Sequence, residues 1–285
     1  MIHLRRSCAR LLSSLPSPSM LALLLPSLLV AACAATPPGD GGSGSGMVSI
    51  NEQPVSTQKA GDDERESAMA HTALGKEYAF AGALQVALEE GQIALEADSS
   101  YAPAYSLLGK TYFLLDQNER ARSNYIQALR LAPRDPEIQA EYAWFLCHDG
   151  DMSGATSYFD KALNNPLMQN QAEVLSDRGI CAIMQGDDVA AATYLQRSLL
   201  LRANNPRALY MLTDIDFRAG RYSSAIVKLN KLHEQRSPTA ETSWLGLRLE
   251  RKLGNKQGVE RYTSLLLDRF RASPEYEKLV RGEFE

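Results

Sequence analysis

Cysteine and histidine are scarce, with four of each in 285 residues, so few side chains are available for metal ligation or acid–base chemistry. Glycine stops at 19, and no alternating β-branched runs occur, which argues against a β-rich fold. Basic residues number 30 against 34 acidic ones, a net charge of −4. No basic stripe arises from that balance, so a nucleic-acid partner is not expected. What remains is a chain that is 45% hydrophobic and 22% charged, long enough to bury one ordinary core or two small ones.

The N-terminus reads as an address. Arg5, Arg6 and Arg10 precede an apolar stretch, Leu21-Ala-Leu-Leu-Leu-Pro-Ser-Leu-Leu-Val-Ala-Ala32, and then Cys33. That stretch is too short to span ~30 Å of hydrocarbon as a helix, and Pro26 interrupts it. The ending Val30-Ala31-Ala32-Cys33 resembles a bacterial lipobox, which implies a signal peptide over 1–32 and lipidation of Cys33. Two or more acyl chains hold a protein stably on a bilayer. Ala34 follows the cysteine, not the aspartate that resembles an inner-membrane retention signal, so the expected location is the outer membrane, facing the periplasm. Processing would leave 27 basic residues against 34 acidic ones, a net charge of about −7.

Residues 33–67 read as the lipidated cysteine and a flexible tether. The Gly/Ser run from Gly39 to Gly46 lacks both a preceding apolar strand and a closing Lys-Ser/Thr, so it is no phosphate cradle. As a random coil the tether would typically reach about 30–35 Å.

From residue 68 the chain repeats itself. Gly82, Gly150, Gly186, Gly220 and Gly254 mark turns spaced by 68, 36, 34 and 34 residues. The segment 102–135 carries Leu108-Gly109, Tyr112, Ala121, Tyr125, Ala128 and Pro133, the tetratricopeptide signature almost complete. Segment 68–101 repeats it with Leu74-Gly75, Tyr78, Ala87 and Ala94, and segments beginning at 136, 172 and 206 keep its small and large packing positions. The last, 240–273, reads as degenerate, with Val259 and Thr263 in those positions. Small residues let the two helices of a repeat approach, large ones fill the gap to the next repeat, and a lone hairpin cannot bury its apolar face. The fold expected is an all-α solenoid of six repeats over 68–273, with a C-terminal tail at 274–285.

Little in the sequence argues for an enzyme, a cofactor or a metal. Cys147-His148-Asp149 has the composition of a catalytic triad, but adjacent helical residues point about 100° apart. Trp144 stands where a haem-attachment motif needs a second cysteine. His71 and His233 have no ligand-spaced partner and read as solvated surface residues.

Cys147 and Cys181 admit two readings. They are two unrelated core thiols, or, in an exported chain whose Cys33 is lipidated, a disulfide stapling the third and fourth repeats. A bridge there would be worth roughly 3–4 kcal/mol in the chain-entropy model. The second candidate surface is the concave groove of first-helix residues, which tetratricopeptide arrays typically use to bind peptides. Phe80, Lys110, Phe113, Trp144, His148, Tyr210, Phe217 and Trp244 fall on groove positions, although each could instead pack between repeats. Of these, Phe80, Phe113 and Trp144 are the expected anchors, with Lys110 as a polar contact. Arg248, Arg251 and Lys252, in the last repeat, read as a solubilising cap.

The phrases Glu141-Tyr-Ala-Trp-Phe-Leu-Cys147 and Asp177-Arg-Gly-Ile-Cys181-Ala resemble the cysteine-bearing middle repeats of the type IV pilus biogenesis/stability lipoproteins (PilF/PilW). Ser243-Trp-Leu-Gly-Leu-Arg-Leu-Glu-Arg-Lys-Leu-Gly254 is similar to that family's C-terminal repeat. The resemblance covers about residues 68–279 and the lipobox. It implies an outer-membrane lipoprotein with six repeats, acting as a monomeric pilotin that assists localisation and multimer assembly of the pilus secretin. It also implies that the family's paired cysteines map onto Cys147 and Cys181. The rival within the same architecture is a periplasmic lipoprotein adaptor that docks proteases or cell-wall hydrolases.

Overall fold

The computed structural model describes residues 56–284, with side chains from Asp63 onward, and among these residues it forms thirteen helices and no strand. The first helices of six pairs are α1 (Ser56–Phe80), α3 (Ala102–Leu114), α5 (Pro136–Asp149), α7 (Gln171–Met184), α9 (Pro206–Arg218) and α11 (Ala240–Leu253). Their partners are α2 (Leu84–Ala97), α4 (Asn118–Leu131), α6 (Met152–Leu163), α8 (Asp188–Leu201), α10 (Tyr222–His233) and α12 (Lys256–Arg269), with α13 (Pro274–Arg281) closing the array. Each first helix packs beside the next first helix, whereas no two partner helices come into contact. The first helices therefore crowd the inner side of the curve and line its concave face.

Small residues set the approach within each pair. Ala121, Ala155, Ala191 and Ala225 are fully buried. A Cβ added at Gly109 would lie 3.0 Å from the ring of Tyr125. Asp135 and Asn205 cap α5 and α9 through their side-chain oxygens, each followed by a proline in the first turn, where its missing N–H costs nothing. The gap of 68 between Gly82 and Gly150 is also resolved. Asp116 occupies the intervening turn with φ 58°, a left-handed conformation that its short polar side chain tolerates.

Four expectations need correction. α1 reaches back to Ser56, so the segment read as tether to residue 67 is helical in its last twelve residues. That extension is held in part by Arg65, which pairs with Asp98 and lies 4.8 Å from the ring centre of Tyr101. Hydrogen bonds from Ser100 and from Arg65 hold the Asp98 carboxyl down to about 2. The C-terminal tail is also folded in part, as α13 contacts both α11 and α12.

Third, the sixth repeat is not degenerate but shifted by one residue. Gly246 meets Tyr262, where a Cβ would lie 2.4 Å from the ring, and Gly258, Tyr262 and Leu266 are the buried partners in place of Val259 and Thr263. Counting by 34 from the fifth repeat misses this because the fifth repeat is one residue short. Fourth, Leu74 does not fill a seam. It is 44% exposed because no repeat precedes the first among the described residues.

Candidate functional site: two clusters on the concave face

The residues expected to form one groove fall into two groups. In the middle of the solenoid, α3 and α5 bring Phe113, Trp144 and His148 together. His148 lies 5.5 Å from the ring of Phe113 and 4.3 Å from that of Trp144. All three are partly exposed, and Lys110 and Leu114 beside them are exposed. Phe113 is braced from beneath by the edge of Phe145, 5.7 Å away, which is fully buried. The Arg207 guanidinium of α9 lies 5.1 Å from the Trp144 ring and pairs with Asp177 of α7. Neither Arg207 nor Asp177 was among the expected groove residues, although Arg207 sits at a groove position of its helix.

Electrostatics in this cluster follow from burial. Burial pushes the Asp177 carboxyl up to about 6, outweighing the nearby charges of Arg207 and Lys110. Burial, reinforced by Arg207, holds the His148 imidazole below its ordinary value. Its Nε2 is covered and makes no hydrogen bond among the described residues, which fits a neutral ring.

Phe80 stands apart at the end of α1 and is 85% exposed. The C-terminal cluster differs from expectation more strongly. Phe217 and Trp244 are buried, at 8% and 7% exposure, and are not open groove residues. The one-residue shift of the sixth repeat turns Trp244 by about 100° relative to the position it was assigned. Its ring is then covered by Phe284, stacked at 5.6 Å and 21°. Arg248 and Arg251 are not merely solubilising. Arg248 lies 4.3 Å from the Phe217 ring centre, and Arg251 lies 3.8 Å from that of Phe284. Tyr210, partly buried in α9, has its phenol pKa pushed well up by burial and by the neighbouring carboxylates of Glu241, Asp214 and Glu275.

Cys147 and Cys181 are joined as a disulfide, with Cα atoms 5.9 Å apart, linking α5 to α7. The thioethers of Met184 and Met152 flank the two sulfurs at 3.7 and 3.9 Å. The residues of Cys147-His148-Asp149 diverge: the first is bridged, the second faces the groove, and Asp149 pairs with Arg122. His71 and His233 are not simply solvated. His71 Nδ1 lies 2.7 Å from a Glu90 carboxylate oxygen, and His233 Nδ1 lies 3.2 Å from the Tyr262 hydroxyl. No group of three or more histidine, cysteine or carboxylate side chains is placed to hold a metal among the described residues. No described helix is long and apolar enough to cross a membrane. The stretch read as a signal peptide and Cys33, read as its lipidated residue, lie outside the described residues.

Paired helices stacked at a near-constant period, with one helix of each pair on a shared inner face, define a tetratricopeptide-repeat solenoid. A tetratricopeptide-repeat family profile matches residues 106–170. Within that class, the chain is similar to proteins of type IV pilus biogenesis. It is 23% identical over 232 residues to the type IV pilus assembly protein PilF of Pseudomonas aeruginosa, covering 81% of this chain and 91% of that one. The crystal structure of PilW, a widely conserved type IV pilus biogenesis factor, superposes with a TM-score of 0.67 and 28% identity, covering 75% of this chain and 98% of PilW. The structure of Pseudomonas aeruginosa PilF superposes with the same TM-score at 22% identity.

Proposed function

We propose that this protein is a pilotin-like scaffold of type IV pilus biogenesis, anchored by lipid on Cys33 to the periplasmic face of the outer membrane. In this reading it binds a segment of the pilus secretin and promotes the secretin's localisation and multimer assembly. The observation that carries the proposal is the mid-groove cluster, in which Phe113, Trp144 and His148 present partly exposed rings beside Lys110 and Arg207. Aromatic and cationic side chains on a preformed surface are the usual anchors for an extended or newly folded segment. The relationship to pilus biogenesis proteins along almost the whole of PilW supports the biological setting, and the lipobox supports the location. The mechanism is that of a scaffold: apolar anchors dock on the rings, Lys110 supplies a polar contact, and the tether holds the complex near the membrane.

The test compares Phe113→Ala with Val189→Ala, a control at an 81% exposed residue of α8, a partner helix outside the concave face. Loss of a central anchor typically costs about 2 kcal/mol, roughly thirtyfold in affinity. Secretin multimers and surface pili should fall for Phe113→Ala and persist for Val189→Ala. Intact multimers and pili together with altered envelope turnover would point to the protease or hydrolase adaptor instead.

A further inference from the structure

Beyond α13 the chain lays Phe284 back against α11 of the last repeat. After α13, Gly282 takes a left-handed φ of 70° and turns the chain back toward α11. Phe284 then stacks on Trp244 and lies under Arg251, and its carbonyl accepts a hydrogen bond from Arg248 Nε at 3.2 Å. A ring held between an aromatic and a guanidinium, with one backbone carbonyl fixed by a side-chain donor, is how a groove grips an extended peptide. A cleft of about 1020 Å³ continues alongside, lined by Arg251, Lys252, Lys256, Gly282 and Phe284 among others. Its lining carries four basic side chains, Arg248, Arg251, Lys252 and Lys256, beside Glu260 and a Glu250 that pairs with Arg261, and the segment that occupies it is Gly282-Glu-Phe284.

We propose that this slot on α11 is a peptide-binding site for extended segments carrying an aromatic residue preceded by an acidic one, and that residues 282–284 keep it closed. Three properties of the contact support a displaceable occupant. Glu283 is exposed and pairs with Arg281 of α13, the Phe284 ring is only partly buried, and one side-chain hydrogen bond holds the Phe284 backbone. A partner segment of the same chemistry gains the Trp244–Arg251 slot by displacing Phe284. This second site is separate from the mid-groove cluster and does not depend on the secretin assignment.

The test uses a fluorescent peptide with the sequence of residues 279–285 and the mature chain. Wild-type protein should bind it weakly, because apparent affinity falls with the fraction of molecules whose groove is open. Phe284→Ala should bind at least about tenfold more tightly, and the same peptide with its phenylalanine replaced by alanine should not bind. Adding Arg251→Glu to Phe284→Ala should abolish the gain. A chain ending at Arg281 repeats the measurement, so that misfolding of one variant leaves the other to decide. Equal binding by wild type and both opened variants, or binding by none of them, would overturn the proposal.

Discussion

His233 shows how burial writes a pH response into single residues. Burial, together with the charge of Arg261, holds its imidazole down to about 4, against an ordinary value of 6.5. The unfolded chain therefore takes up a proton at a pH where the folded chain still refuses one. The stability this neutral ring contributes is present above about 6.5 and is lost as the pH falls toward 4. His148 acts in the same direction. Asp177 acts in the opposite one. Its carboxyl is raised to about 6 from 3.8, so its contribution is complete below 3.8 and is lost as the pH rises through 6. Denaturant titrations at pH 4.5 and 7 should separate the two effects. His233→Gln should flatten the loss of stability on acidification, and Asp177→Asn should steepen it. A wild-type profile parallel to that of His233→Gln would mean that the ring is not held neutral. None of this was visible in the sequence, because the spacing of His233 from other titratable residues says nothing about the tyrosine and arginine that α12 brings beside it.

At the scale of elements, most of the solenoid was legible because one requirement recurs at every seam: two helices must approach closely while large side chains fill the gap to the next pair. The junction between α8 and α9 adds a polar device to that rule. Asn205 is 3% exposed, and its Oδ1 accepts from the N–H groups of Arg207 and Ala208, capping α9. Its Nδ2 donates to the hydroxyls of Ser176 and Ser198 at 3.1 and 3.0 Å. Asn205→Ala removes the cap and the donor to two buried hydroxyls, which keep their bonds to the Ala172 carbonyl and to each other, so it should cost about 2–3 kcal/mol. Asp151→Ala, which removes the exposed cap of α6, should cost about 1 kcal/mol. Equal midpoints in urea for the two variants would show that the buried network adds nothing. In the sixth repeat, one residue misled the count. The shortened fifth repeat moved Gly246 and Gly258 out of the counted frame. The two glycines keep the twelve-residue spacing of Gly109 and Ala121, and that spacing was the usable signal. The docking of Phe284 had no comparable signal, since a single aromatic beyond a glycine fits a loose end equally well.

The described residues share no single core, and their cohesion is a chain of neighbour contacts. One apolar cluster runs from Leu88 to Cys181, another from Ala182 to Ile215, and a third from Leu209 to Leu266. The first hands over to the second at α7, where the Cys147–Cys181 bridge ties α7 back to α5. This is also where the longest inter-repeat loop falls, between Leu163 and Gln171, so the covalent link lies across a seam with more connecting chain than its neighbours. Cross-linking residues 34 apart restricts the unfolded chain by roughly 3–4 kcal/mol in the chain-entropy account. Because solenoid stability is a sum of repeats and their interfaces, the loss on reduction should stay local. A chain starting at Ala34 contains only these two cysteines. Unfolded without reductant, it should show no free thiol, and after reduction it should show two. Amide exchange of the reduced protein should accelerate in α5 to α8 and remain near its original rate in α1, α2, α11 and α12. Two thiols in the unreduced chain would remove the bridge from the account. A uniform rise in exchange along all the helices would mean that the array unfolds as one cooperative unit, with the bridge stabilising the whole molecule rather than the seam.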